Sequence, residues 1–174
     1  MNKVLVFLLV ILSVKVSYAQ QWTLKDSGTG LIQDNGSDKA PKIIERGNRW
    51  NMKHLEENGA MEGKYRGSQL FASWIQGPET KEFTDGKGNP VWLLRYSVSN
   101  PEGQVLKSDT SRFQQSGYAF FSFKAETHTE GVWKVEWFLV NRKTLSEILI
   151  ATNIFESVTT TSGKKNTFNL KAVP

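Results

Sequence analysis

Glu126-Thr127-His128-Thr129-Glu130 is the stretch of this chain with the most chemical content. On an extended strand, alternate residues project from one side, so Glu126, His128 and Glu130 could present oxygen and nitrogen ligands together. A closed transition-metal site, however, takes about four ligands and favours nitrogen and sulfur. The second histidine, His54, sits in an unlike, polar setting, and the chain has no cysteine. The cluster therefore reads as a solvated strand end beside a turn, and no metal or other cofactor is expected.

Other chemistries are poorly represented. The chain contains no H-E-x-x-H, G-x-S-x-G, phosphate-binding P-loop or dinucleotide fingerprint, and no catalytic residue can be nominated. Asp34 to Asp38 and Asp85 to Gly88 look superficially like calcium loops, but both lack the spaced oxygen ligands and the closing glutamate, so turn formation accounts for them better. Six tryptophans offer a different chemistry, the stacking of sugar rings. Trp22, Trp50 and Trp74 have neighbours polar enough to leave a ring exposed, and they are the candidate ligand contacts.

The elements that must position these residues begin with an export signal. Lys3, an apolar run from Val4 to Val14 and Ser17-Tyr18-Ala19 have the layout of a secretory leader, with a positive start, a run too short for a span of about 20 residues, and small residues before the cut. Residues 1–19 are thus expected to be removed after Ala19, with no membrane segment retained and the mature protein periplasmic or secreted. Of the 174 residues, about 155 then remain, enough for one core that needs no disulfide staples. Loss of Lys3 and Lys15 leaves 20 basic against 17 acidic residues, too mild a balance to imply nucleic acid.

Two textures follow. Residues 20–64 are rich in Gly, Asn, Asp, Lys and Glu and read as a polar, irregular lead-in, in which WNMKHLEENG can form a turn or two of helix before Gly59. Residues 65–174 carry short β-branched and aromatic runs separated by turn chemistry, the pattern of an all-β sandwich. The runs are Gln69 to Ile75, Val91 to Ser99, a return through Val105-Leu106, Tyr118 to Glu126, Val132 to Val140, Leu145 to Val158, and Thr167 to Val173. That makes about seven strands joined by short turns, and the absence of long amphipathic helices argues for antiparallel pairing. Alternation puts Trp92, Leu94, Tyr96 and Val98 on one face of their strand. In GVWKVEWFLVN it sets Trp133, Val135, Trp137 and Leu139 opposite Lys134 and Glu136, so the aromatic row should face a core.

GVWKVEWFLVN, the tight turn at Asn141-Arg142-Lys143 and the outgoing strand through Ala151-Thr152-Asn153-Ile154-Phe155 together resemble the last hairpin of bacterial immunoglobulin-like domains. The run from Tyr118 to Ala125 is similar to the strand that leads into that hairpin. The resemblance implies an antiparallel immunoglobulin-like β-sandwich and carries no catalytic residues to transfer. The expected function is an exported, non-enzymatic binding or structural module that presents loops or an edge strand to another envelope or extracellular protein. The alternative is a carbohydrate-binding module that uses exposed tryptophan rings on a polysaccharide.

Overall fold

A computed structural model describes residues 22–35, 39–60, 69–123 and 129–159. In chain order the strands are β1 (Asp26–Gln33), β2 (Lys42–Arg46), β3 (Arg49–Asn51), β4 (Gln69–Gln76), β5 (Trp92–Ser99), β6 (Val105–Ser111), β7 (Tyr118–Ser122), β8 (Gly131–Asn141) and β9 (Glu147–Val158). One short helix, α1 (Met52–Glu57), follows β3, and a 3-10 turn spans Thr80–Phe83. The strands form two sheets, ordered β2-β1-β4-β7 and β3-β9-β8-β5-β6. The all-β expectation is met.

Turn chemistry places the strands from β4 onward close to where the residue pattern sets them. The loop Asn100-Pro101-Glu102-Gly103 reverses the chain between β5 and β6, with Gly103 N donating to Asn100 O and the Asn100 side chain accepting from Gln104 N. Asp85 organises the turn before β5 in the same way, accepting from Lys87 N and Asn89 N at 2.9 Å each. That fully employed carboxylate is why the second calcium-like loop is a turn.

The lead-in departs from expectation. Instead of an irregular segment, residues 26–51 supply three strands, and β1 is central in its sheet, paired along its whole length with β4 and on its other side with β2. Its pattern was hidden because β1, DSGTGLIQ, has few apolar residues. Gly28 and Gly30 occupy positions where a side chain cannot fit: a Cβ at Gly28 would meet the Trp74 ring at 2.9 Å, and one at Gly30 would meet the Glu45 carbonyl oxygen at 2.0 Å. These glycines serve close approach, so they weaken the strand signal without breaking the strand. The expected short helix is present as α1, capped by the Asn51 side chain, which accepts from His54 N.

A second departure concerns strand direction. β3 joins β9 in parallel, Arg49 opposite Glu156 and Asn51 opposite Val158, so this sheet is mixed. The chain reaches that position by crossing at Gly47 and Asn48 from the end of β2 to the opposite sheet, with Gly47 N donating to Thr29 O and Glu156 N donating to Asn48 O. Such a short crossover between two sheets needs no helix. The expected strand over Thr167 to Val173 and the leader lie outside the described residues.

One core lies between the sheets. Leu31, Phe71, Ile75, Ala119 and Phe123 face Leu94, Tyr96, Val98, Trp133, Val135, Trp137, Leu139 and Phe155. The aromatic row on β8 points inward, as alternation requires, and Trp133 stacks on Phe155 with a 9° interplanar angle while its indole nitrogen donates to Thr129 O at 3.0 Å. Full burial of each such ring contributes a few kcal/mol, roughly 25 cal/mol per Å² of apolar surface removed from water. On the opposite face of the first sheet, Ile32, Ala72 and Trp74 form a smaller buried cluster with Ile43, Leu70, Tyr118 and Phe120 against it.

Candidate interaction surface

The residues nominated from sequence are dispersed. Glu130 stands at the entry to β8, where its Oε1 accepts from Thr159 N at 2.8 Å and from the Thr159 hydroxyl, tying the start of β8 to the end of β9. Those hydrogen bonds hold the Glu130 carboxyl below its ordinary pKa. It is a strand-end latch. Glu126 and His128 lie outside the described residues. His54 sits exposed on α1 beside the Asn58 amide, 3.2 Å from Nδ1, and among the described residues no group of three His, Cys, Asp or Glu side chains is placed to hold a metal.

Two of the three candidate tryptophans, Trp50 and Trp74, are corrected by their burial. Trp74 has no exposed surface and Trp50 retains 8 %. Trp50 packs on Phe71, ring centres 5.2 Å apart, and Trp22 is half-buried against Phe113 at 5.9 Å. Polar sequence neighbours misled because residues distant in the chain, not the neighbours, decide whether a ring is covered. Trp74 shows this. Arg46 lies over its ring at 5.2 Å, and its indole nitrogen donates to Asp26 Oδ2 at 3.1 Å.

Asp26 is itself gripped by Arg46 through two hydrogen bonds of 2.8 and 2.7 Å. Burial pushes its pKa up, but the hydrogen bonds from Arg46 and Trp74 outweigh this and hold it below the ordinary value. Nothing in the sequence paired Asp26 with Arg46. The pairing depends on the β1–β2 register, which the glycines of β1 obscure. With every oxygen occupied, the cluster seals Trp74 rather than offering a reactive group.

An open groove of about 310 Å³ is lined by Asp85, Asn89, Pro90, Val91, Arg142 and Lys143. Its carboxylate is committed to the turn described above, and Arg142 Nη1 leans on Pro90 O at 3.4 Å. It carries no acid–base pair or nucleophile.

The feature best suited to contact another molecule is the outer edge of β9. On one side β9 pairs with β8 from Glu147 to Ser157. On the other, among the described residues, only β3 pairs with it, and only at Glu156 to Val158. Among the described residues the outer side of the backbone from Glu147 to Phe155 thus has no strand partner. Ile148 and Leu149 are each 52 % exposed and Ile154 is 46 % exposed. No charged side chain occurs from Ile148 to Phe155. The flanking acids are already engaged: Glu147 receives both arms of Arg95 at 2.8 and 2.5 Å, and Glu156 pairs with Arg49 at 3.3 Å.

The opposite edge of the same sheet is different in kind. β6, VLKSDTS, is exposed along almost its whole length and carries Lys107 and Asp109. Charges on an edge strand discourage pairing with other chains. β6 has that protection; the exposed part of β9 carries no charge, and its one irregularity is a bulge at Ile150, where Trp137 pairs with Ala151 and Phe138 with Leu149.

No protein-family model matches the chain, and no curated protein is significantly similar to it in sequence. Among the described residues no helix is long and apolar enough to cross a membrane.

Proposed function

We propose that this protein is an exported immunoglobulin-like module that binds an extended segment of another envelope or extracellular protein along β9. The strand order supports the immunoglobulin-like reading. β4 and β7 neighbour one another in one sheet, while β9, β8, β5 and β6 are adjacent in the other, so the chain passes between sheets after β4, β6 and β7 in Greek-key fashion. On this reading the β8–β9 hairpin corresponds to the last hairpin of such domains.

The observation that carries the function is the uncharged edge of β9, open from Glu147 to Phe155 among the described residues. Strand addition to an exposed edge draws affinity from main-chain hydrogen bonds and specificity from alternate side chains. Ile148, Leu149 and Ile154 supply the apolar contacts, and the uncharged edge selects an uncharged, extended segment. The carbohydrate reading has weaker support, because stacking needs exposed coplanar rings and Trp50 and Trp74 are interior.

A photo-reactive residue placed at Ile148 or Thr152 in the native host tests this proposal. It should yield an adduct with another exported protein, while the same residue at Thr110 on β6 should not. Equal labelling from both edges, or none from β9, would remove the basis for the reading. Intact mass of the exported chain tests the compartment, with an expected start at Gln20; an uncut chain recovered from the membrane would overturn it.

A further inference from the structure

We propose that the β9 edge also pairs with itself, so that a second copy of this chain covers it when no other partner is bound. The inference shares the edge invoked for partner binding and assigns its resting occupant. The first argument is electrostatic. Antiparallel pairing of two identical strands about a two-fold axis brings each end of the segment to the opposite end of its copy. Like charges facing one another across a strand pair are destabilising. Here the segment between Glu147 and Glu156 has no charge, and each flanking glutamate is held by an arginine of its own chain, so self-pairing meets no unscreened repulsion.

The second argument is chemical likeness. A strand added beside β9 sets its side chains alternately toward the outer face, near Leu149 and Ile154, and toward the inner side, near Ile148 and the half-buried Ile150. A fitting occupant is apolar on both faces, rich in β-branched residues and free of proline. ILIATNIF, the edge itself, has that composition. β6 does not, since Lys107 and Asp109 would enter the pair.

The third argument concerns closure. β3 blocks the edge from Glu156 onward, which stops strand addition from running the full length of β9. An isologous pair uses the same segment of both copies, so pairing through this edge stops at two chains instead of extending into a fibre. The bulge at Ile150 splits the edge into Glu147 to Leu149 and Ala151 to Phe155, and with three exposed apolar side chains the contact is small, so the dimer should be weak and concentration-dependent.

The absence of cysteine makes a direct test available. Light scattering on the purified chain across a concentration series should show a monomer–dimer shift. Leu149→Lys and Ile154→Lys should each weaken dimerisation by tenfold or more while leaving the thermal midpoint nearly unchanged, because both side chains are half-exposed. Thr152→Cys should give disulfide-linked dimers under mild oxidation, and Thr110→Cys on β6 should remain monomeric. A chain that stays monomeric into the millimolar range, a dimer insensitive to both lysines, or equal cross-linking from the two cysteines would overturn the proposal. If the purified chain is monomeric but the β9 edge still labels another exported protein in the host, self-pairing fails and partner binding stands. A dimer without hetero-adducts shows the reverse.

Discussion

The side-chain amide of Asn153 on β9 crosses the core to the hydroxyl of Ser73 on β4, Nδ2 to Oγ 2.9 Å, and so joins the two sheets. The same nitrogen lies 2.9 Å from Trp74 O and 3.1 Å from Gly28 O, and the Trp137 indole nitrogen donates to the same Ser73 hydroxyl at 3.3 Å. Asn153, Ser73 and Trp137 are all buried. The amide satisfies polar groups that would otherwise stand orphaned between apolar layers, and it fixes which residue of β9 faces which residue of β4.

Asn153→Ala should therefore cost about 1–3 kcal/mol, the range for leaving buried acceptors without a donor. Asn153→Asp should cost more at neutral pH, because an ionised carboxylate would face two carbonyl oxygens. Burial raises the pKa of such a carboxyl, and a group with a raised folded pKa stabilises below its unfolded value and loses that contribution as pH rises. The aspartate variant should regain stability as pH falls toward about 4 relative to the alanine variant. Urea melts at several pH values check this, and parallel curves for the two variants would contradict the donor role.

Adjacent residues on β8 offer a sharper contrast. Trp133 is buried against Phe155, whereas the Lys134 side chain is 43 % exposed and pairs with Glu136 at 3.1 Å. Trp133→Ala should cost roughly 3–5 kcal/mol including the cavity left behind. Lys134→Ala should stay within about 0.5 kcal/mol. Denaturant midpoints measure both, and an unshifted midpoint for Trp133→Ala would refute the inward row.

That row was legible because strand alternation is a local signal. Trp133, Val135, Trp137 and Leu139 alternate with charges between two turns, and no tertiary information is needed to assign their side. β1 was illegible for the opposite reason. Its glycines answer to the Trp74 ring and the Glu45 carbonyl, partners far along the chain, so the strand looks like a loop until both are in place. Trp50 and Trp74 failed likewise. Trp74 sits among neighbours that suggest exposure, yet Arg46 and Asp26 from other strands cover it. The open edge of β9 could not be read at all, since among the described residues it is defined by which strands pair beside it, and pairing is tertiary. Only the uncharged composition of ILIATNIF hinted at its character.

The cover over Trp74 yields a pH-dependent prediction. Although burial raises the Asp26 pKa, the hydrogen bonds from Arg46 and Trp74 together with the Arg46 charge bring it below its ordinary value, so the folded protein favours the ionised carboxylate. The sign follows: a depressed folded pKa contributes stability that is fully present above the unfolded value of about 3.9 and is lost as pH falls through the lower folded value. Asp26→Asn keeps the shape but removes the charge, so it should cost about 1–2 kcal/mol at pH 7, the scale of a hydrogen bond to a charged group that is partly open to water. Acid affects other carboxylates equally in both proteins, so the difference between them isolates Asp26. The gap should narrow as pH falls below about 4, and added salt at neutral pH should narrow it less, because the paired hydrogen bonds persist when long-range attraction is screened. Urea melts of both proteins from pH 7 to pH 2 measure the gap directly. A gap that stays constant over that range would mean that the Asp26 charge does not stabilise the cover over Trp74.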